Sequence, residues 1–194
     1  MHPTTNSYNL KTTIKIILLA LSSFGFSALQ SQNLYTTDKG KINFFSYTPA
    51  ENIDATSKSA KAAFNIKSKE LVFTVAMKSF EFEKKLMQEH FNEKYVESDK
   101  YPLSTFIGKV NENIDFSKDG TYKVTASGKF TCHGVTKDRI MEGTITVKGG
   151  KVSINSKFDV VLVDYKIEVP TLVIEKIAET IKITVDAVLE KKKK

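Results

Sequence analysis

The stretch Tyr122-Lys-Val-Thr-Ala-Ser-Gly-Lys-Phe-Thr-Cys132 decides the fold. Its side chains alternate: Tyr122, Val124, Ala126, Gly128, Phe130 and Cys132 on one face, lysines, threonines and Ser127 on the other. A period of two is that of a strand with one covered face, and a slip of one residue would turn the whole apolar set into water, so the register is well specified. The same alternation puts Val152, Ile154, Ser156, Phe158 and Val160 on one inward face, and Ile181, Ile183, Val185, Ala187 and Leu189 on another. Leu71, Phe73, Val75 and Met77 make a further set, as do Met141, Gly143, Ile145 and Val147.

Turn signals separate these segments. Ser117-Lys-Asp-Gly120 precedes the Tyr122 strand, and Gly149-Gly150 joins two strands as a hairpin whose residues both tolerate positive φ. Eight or nine strands result, at 33–38, 41–47, 59–66, 71–79, 104–110, 121–133, 137–148, 151–161 and 180–189. One helix interrupts them over about 82–95, where Phe82 and Leu86, and Met87, Phe91 and Tyr95, recur at i+4 spacing. Shorter helical turns are expected at Pro49 to Ala55 and at Pro170 to Ala178.

This many antiparallel strands in one domain means a sandwich or a closed barrel, and the expectation is an all-β, extended, lipocalin-like eight-stranded antiparallel barrel. Such a barrel either fills with side chains or holds one small ligand. The inward faces mix Phe44, Phe73, Phe106, Phe130 and Phe158 with Ala126, Gly128, Gly143 and Ala187. The small residues fit two readings equally, room for a ligand or the taper of a filled barrel.

The chain of 194 residues carries 29 basic and 22 acidic side chains, one Cys and no Trp. Residues 14–28, IKIILLALSSFGFSA, follow Lys11 with no acidic residue before Asp38, the layout of a secretory signal peptide. The expected domains are a signal peptide over 1–32 with cleavage between 27 and 32, a barrel over 33–190 and a lysine tail over 191–194. The alternative for the apolar run is an uncleaved anchor. The export expected from that run puts the protein in the periplasm or outside the cell. Without Lys11 and Lys15 the balance is 27 basic against 22 acidic side chains, a net +5, of which Lys191–Lys194 supply four. A nearly neutral body excludes the extended basic face of a nucleic-acid binder. The lysine run is a solvated tail, or gives transient contact with an anionic membrane surface at about 1 kcal/mol per lysine. A lone Cys132 rules out an intramolecular disulfide.

Little in the chain suggests catalysis. His90 and His133 are the only histidines beyond the apolar run, and Cys132 precedes His133 on the opposite face of a strand, so neither a metal site nor a Cys-His nucleophile pair is expected. His90 reads as a helix-surface residue and His133 as a strand-end residue bonded to backbone. Asp99 reads as a brace on the turn leaving the helix, before Pro102 fixes φ for the next strand. Tyr95 and Tyr101, apolar with a polar tip, are candidates for contact with a ligand headgroup, against simple core packing.

The central segment Leu86-Met-Gln-Glu-His-Phe-Asn-Glu-Lys-Tyr95, with Glu97-Ser-Asp-Lys-Tyr-Pro102, Thr105-Phe-Ile-Gly108 and the strand ending Gly128-Lys-Phe-Thr-Cys-His-Gly-Val-Thr136, resembles the YceI-like family of exported lipid-binding proteins. The resemblance runs from about Tyr35 to Ala187. It departs at Cys132, where the family usually has an aliphatic residue, an exchange a small buried thiol accommodates. The resemblance implies a barrel enclosing a long apolar tunnel for a polyisoprenoid-type chain, an isoprenoid quinone or another prenyl lipid, with no other cofactor and no catalytic residue. The expected lining is Phe44, Phe73, Phe106, Val124, Phe130, Ile145, Phe158 and Val185. Alternatives are a filled barrel with a structural or stress-related role at the envelope, and a small lipid-processing enzyme using His90 or His133 as base. A homodimer is compatible with the residues and is not specified by them.

Overall fold

A computed structural model describes residues 33–170 and 175–192. Nine strands form one antiparallel sheet: β1 (Leu34–Tyr47), β2 (Asn52–Asn65), β3 (Glu70–Ala76), β4 (Glu81–Phe82), β5 (Leu103–Val110), β6 (Gly120–Cys132), β7 (Val135–Lys148), β8 (Lys151–Val161) and β9 (Thr180–Lys191). The order is β1-β9-β8-β7-β6-β5-β3-β2, and β2 pairs back onto β1, so eight long strands close a barrel and leave no long edge among them. The two residues of β4 attach to the start of β2, Phe82 opposite Ala55.

The inward faces follow the alternation of the sequence. On β6 Val124, Ala126, Phe130 and Cys132 are buried, with lysines outside. Two tight hairpins hold the register. Gly149 and Gly150 (φ 56° and 75°) turn β7 into β8, and His133 and Gly134 (φ 48° and 72°) turn β6 into β7. Both are two-residue turns with positive φ at each central position, whose twist matches that of the strands.

Three local expectations are corrected. The separate strands at 33–38 and 41–47 are the single strand β1, because Asp38-Lys39-Gly40 is not a turn. Between Thr37 and Gly40, β1 carries one more residue than either neighbour, a bulge that bends the strand without ending it. The helical turn at Pro49 to Ala55 gives way at Asn52 to β2. Local pattern is weak in this Ala- and Ser-rich segment, and pairing with β1 decides it: the Asn43 side chain donates to Asp54 (2.6 Å) and Thr56 (3.1 Å) across the strands. The helix over 82–95 is shorter. Phe82 belongs to β4, α1 covers only Lys85–His90, and Phe91–Tyr95 is a π-helical turn in which Val96 N–H donates to the Phe91 carbonyl. Of the turn at Pro170 to Ala178, residues 171–174 lie outside the described residues, and Glu175 and Lys176 form a turn. The expected signal peptide, 1–32, and the last two lysines of the tail also lie outside them.

Strand alternation sorts the connections between two ends of the barrel. Residues 48–51, the long segment 77–102, the His133-Gly134 turn and residues 162–170 and 175–179 gather at one end. Residues 66–69, 111–119 and the Gly149-Gly150 turn gather at the other, with the first residue of β1 and the last of β9.

Candidate functional site

Inside the barrel, toward the end that carries α1, lies a cavity of about 520 Å³. Its walls are mainly inward residues of all eight long strands except the Ala-rich half of β2, with residues of the connecting segments and a few strand neighbours such as Thr74 and Thr144. The eight residues expected to line a tunnel, Phe44, Phe73, Phe106, Val124, Phe130, Ile145, Phe158 and Val185, all border it. Phe130 meets Phe158 edge-on at 5.7 Å, so the wall there is continuous aromatic surface.

Several polar groups on this surface are bonded within the protein. Ser104 donates to the Thr131 carbonyl (2.8 Å), and Ser46 accepts the Ala178 N–H (2.9 Å). Cys132 also borders the cavity, and burial pushes its thiol up to about 11. Aromatic and aliphatic side chains make up most of the lining, so the surface suits an apolar occupant.

The mouth is framed by a cluster that sequence reading missed. Phe91 stacks on Phe44 (5.3 Å, 20° between planes) and meets Phe80 at 5.8 Å and Phe82 at 5.0 Å. Four rings come together from β1, the turn after β3, β4 and the π-turn, and the only signal was the crowding of Phe80, Phe82 and Phe91 in one short stretch. Leu86, Met87 and His90 of α1 also border the opening, so His90 is less a plain surface residue than expected. Leu86 remains 61% exposed and α1 buries none of its residues fully, so this short helix rests across the mouth rather than in the core. The charged rim comprises Lys176 and the pair Lys84–Glu51 (2.9 Å).

The two tyrosines part company. Tyr95 borders the cavity, and burial raises its hydroxyl above the ordinary value. Tyr101 does not border it: its ring packs edge-on against His133 (4.5 Å) and over Gly134, with the Lys100 ammonium 4.9 Å from its centre. Asp99 pairs with Lys78 (2.6 Å) at the surface.

His133 holds three segments together. Its Nδ1 donates to the Tyr165 carbonyl and its Nε2 lies against the Glu97 carboxylate, both at 2.9 Å. The imidazole thus ties the loop after α1 and the 3-10 turn Leu162–Tyr165 to the β6–β7 hairpin. Among the described residues no group of three or more His, Cys, Asp or Glu side chains is placed to hold a metal ion.

Small inward residues serve two ends. Ala126 and Gly143 border the cavity, whereas Gly128 and Ala187 do not. At Gly128 a Cβ would lie 2.4 Å from the Gly108 Cα on β5, so that glycine permits close strand approach rather than leaving room for a ligand.

The model of the YceI-like domain matches residues 20–189. No curated protein sequence matches the chain. Among solved structures, a polyisoprenoid binding domain from Saccharophagus degradans is 13% identical, with a TM-score of 0.68 over 83% of this chain and 99% of that one. Burkholderia cenocepacia BcnA is 15% identical, with a TM-score of 0.64 over 78% and 96%. The Campylobacter jejuni YCEI protein is 23% identical, with a TM-score of 0.54 over 70% and 81%. At these identities the likeness is one of fold.

Proposed function

The chain belongs to the YceI-like family, and from that premise we propose that it is a lipid binder that holds one long apolar chain of polyisoprenoid type in its barrel cavity. The observation that carries the reading is the 520 Å³ space with a mainly aromatic and aliphatic wall. Transferring a chain from water into it yields about 0.8 kcal/mol per CH₂, enough to drive binding without a charged contact. The fold shared with a polyisoprenoid binding domain supports the same ligand class.

Carriage or storage in the periplasm or outside the cell is part of the proposal, supported by the apolar run at 14–28. The role is binding rather than catalysis. Both ring nitrogens of His133 are engaged in the clamp, and His90 stands at the rim with no nucleophile or metal cluster beside it among the described residues. The filled-barrel reading has one observation in its favour: Phe64, Val152 and Leu189 are fully buried toward the end remote from α1.

The test is native mass spectrometry of the chain purified from a bacterial envelope, followed by organic extraction and lipid identification. A stoichiometric isoprenoid is expected. An empty protein that also refuses added quinones and prenyl alcohols sinks the proposal in favour of the filled barrel.

A further inference from the structure

The cavity does not run the length of the barrel, and where it stops is set by two side chains. Inward residues of β7 and β8 pair in successive rungs: Gly143 with Ser156, Ile145 with Ile154, Val147 with Val152. The first two rungs border the cavity and the third does not. Below the Ile145–Ile154 rung the barrel is solid. Val152 and Leu189 are 0% exposed, Phe64 is 1% exposed, and Phe116 from the 111–119 loop meets Phe64 edge-on at 5.7 Å.

We propose that Ile145 and Ile154 form a floor that limits the length of apolar chain the protein accepts, an inference that rests on the lipid-binding reading. From Cys132 near the mouth to Val124, one rung above the floor, β6 descends eight residues. At about 3.3 Å per residue and the tilt of barrel strands, this is roughly 20 Å of depth. Each carbon up to that depth leaves water; further carbons remain at the rim and add little. Affinity therefore rises with chain length and then levels off. Ala126, level with Val110 and Met141 on the neighbouring strands, narrows the same space with only a methyl group, so a larger residue there raises the floor.

The experiment is a fluorescence-displacement titration of the full chain with geraniol, farnesol, geranylgeraniol and a long polyprenol. In the wild type, affinity is expected to climb through the short alcohols and level off before the longest. Ile145→Ala should move the plateau to a longer alcohol, and Ala126→Leu to a shorter one, weakening geranylgeraniol at least tenfold while sparing geraniol. Ile107→Ala, outward and 59% exposed, should leave the profile unchanged. Should Ile145→Ala not fold, Ile154→Val gives the same shift in smaller measure, and Ala126→Leu tests the floor from above.

Identical plateaus in wild type, Ile145→Ala and Ala126→Leu, or affinity still rising at the longest chain, overturn the floor and leave lipid binding standing. Failure of every alcohol to bind the wild type overturns the lipid-binding reading and the floor with it.

Discussion

At the scale of single residues, His133 and Cys132 are neighbours with opposite duties. His133 clamps Tyr165 and Glu97 to the hairpin, and the turn it occupies needs positive φ, which His tolerates better than most residues. Replacing it with Ala strands the Tyr165 carbonyl and releases Glu97, an expected loss of about 2 kcal/mol in urea unfolding. His133→Asn keeps the turn preference but not the reach, so it should recover only part of that loss; full recovery would mean that the imidazole contacts contribute nothing. Cys132 faces the cavity, and burial favours its neutral thiol. The unfolded thiol ionises near its ordinary value of 9.0 and the folded one near 11, so between those values the folded state holds more protons. Its contribution to stability therefore falls as pH rises from about 9 to about 11. Wild type minus Cys132→Ala, followed by denaturant unfolding across pH 8 to 11, isolates this slope; a flat difference curve refutes it. The sequence placed Cys132 on the inward face because alternation on β6 is strict, whereas His133 lies beyond the strand in the turn, with its ring buried rather than on an outer strand face. The sequence could not show that Glu97 and Tyr165 would meet His133, since those partners lie 36 and 32 residues away.

Elements divide by what specifies them. β6, β8 and β9 are legible because inward and outward residues differ sharply in polarity, whereas β2 was half hidden because Ala and Ser serve on either face. The bulge in β1 looked like a turn because Asp, Lys and Gly are turn residues, and only pairing on both sides shows that the strand continues. The glycines give a direct test of what the elements require. A methyl group at Gly128 would press on the β5 backbone, so Gly128→Ala should cost about 1–3 kcal/mol. At Gly149 nothing lies within 4 Å and the demand is only for positive φ. Gly149→Asn should therefore change stability by only a few tenths of a kcal/mol. Thermal unfolding of the two variants separates close strand approach from turn conformation; equal losses would contradict the assignment.

For the whole molecule, the barrel is divided along its axis into a hollow part under α1 and a solid part below Ile145 and Ile154. The sequence could not reveal this division, because Val147, Val152 and Leu189 alternate just as Ile145, Ile154 and Val185 do; depth depends on which strands bring their inward residues to the same level, and on the 111–119 loop that seats Phe116. A guest gives the lining atoms of such a space partners that they otherwise lack on one side. A chain that fills it binds the native state and not the unfolded one, so it must raise stability by RT ln(1 + [L]/Kd). At a free ligand concentration of 100 Kd this is about 2.7 kcal/mol, which for a domain of this size amounts to a rise in Tm of about 5–10 °C. The rise should grow by about 1 °C for each doubling of a saturating prenyl alcohol and should be absent for a short polar alcohol of equal concentration. Differential scanning calorimetry of the delipidated chain measures both. A Tm indifferent to every prenyl alcohol would mean that the space seen under α1 takes no guest, whatever its lining.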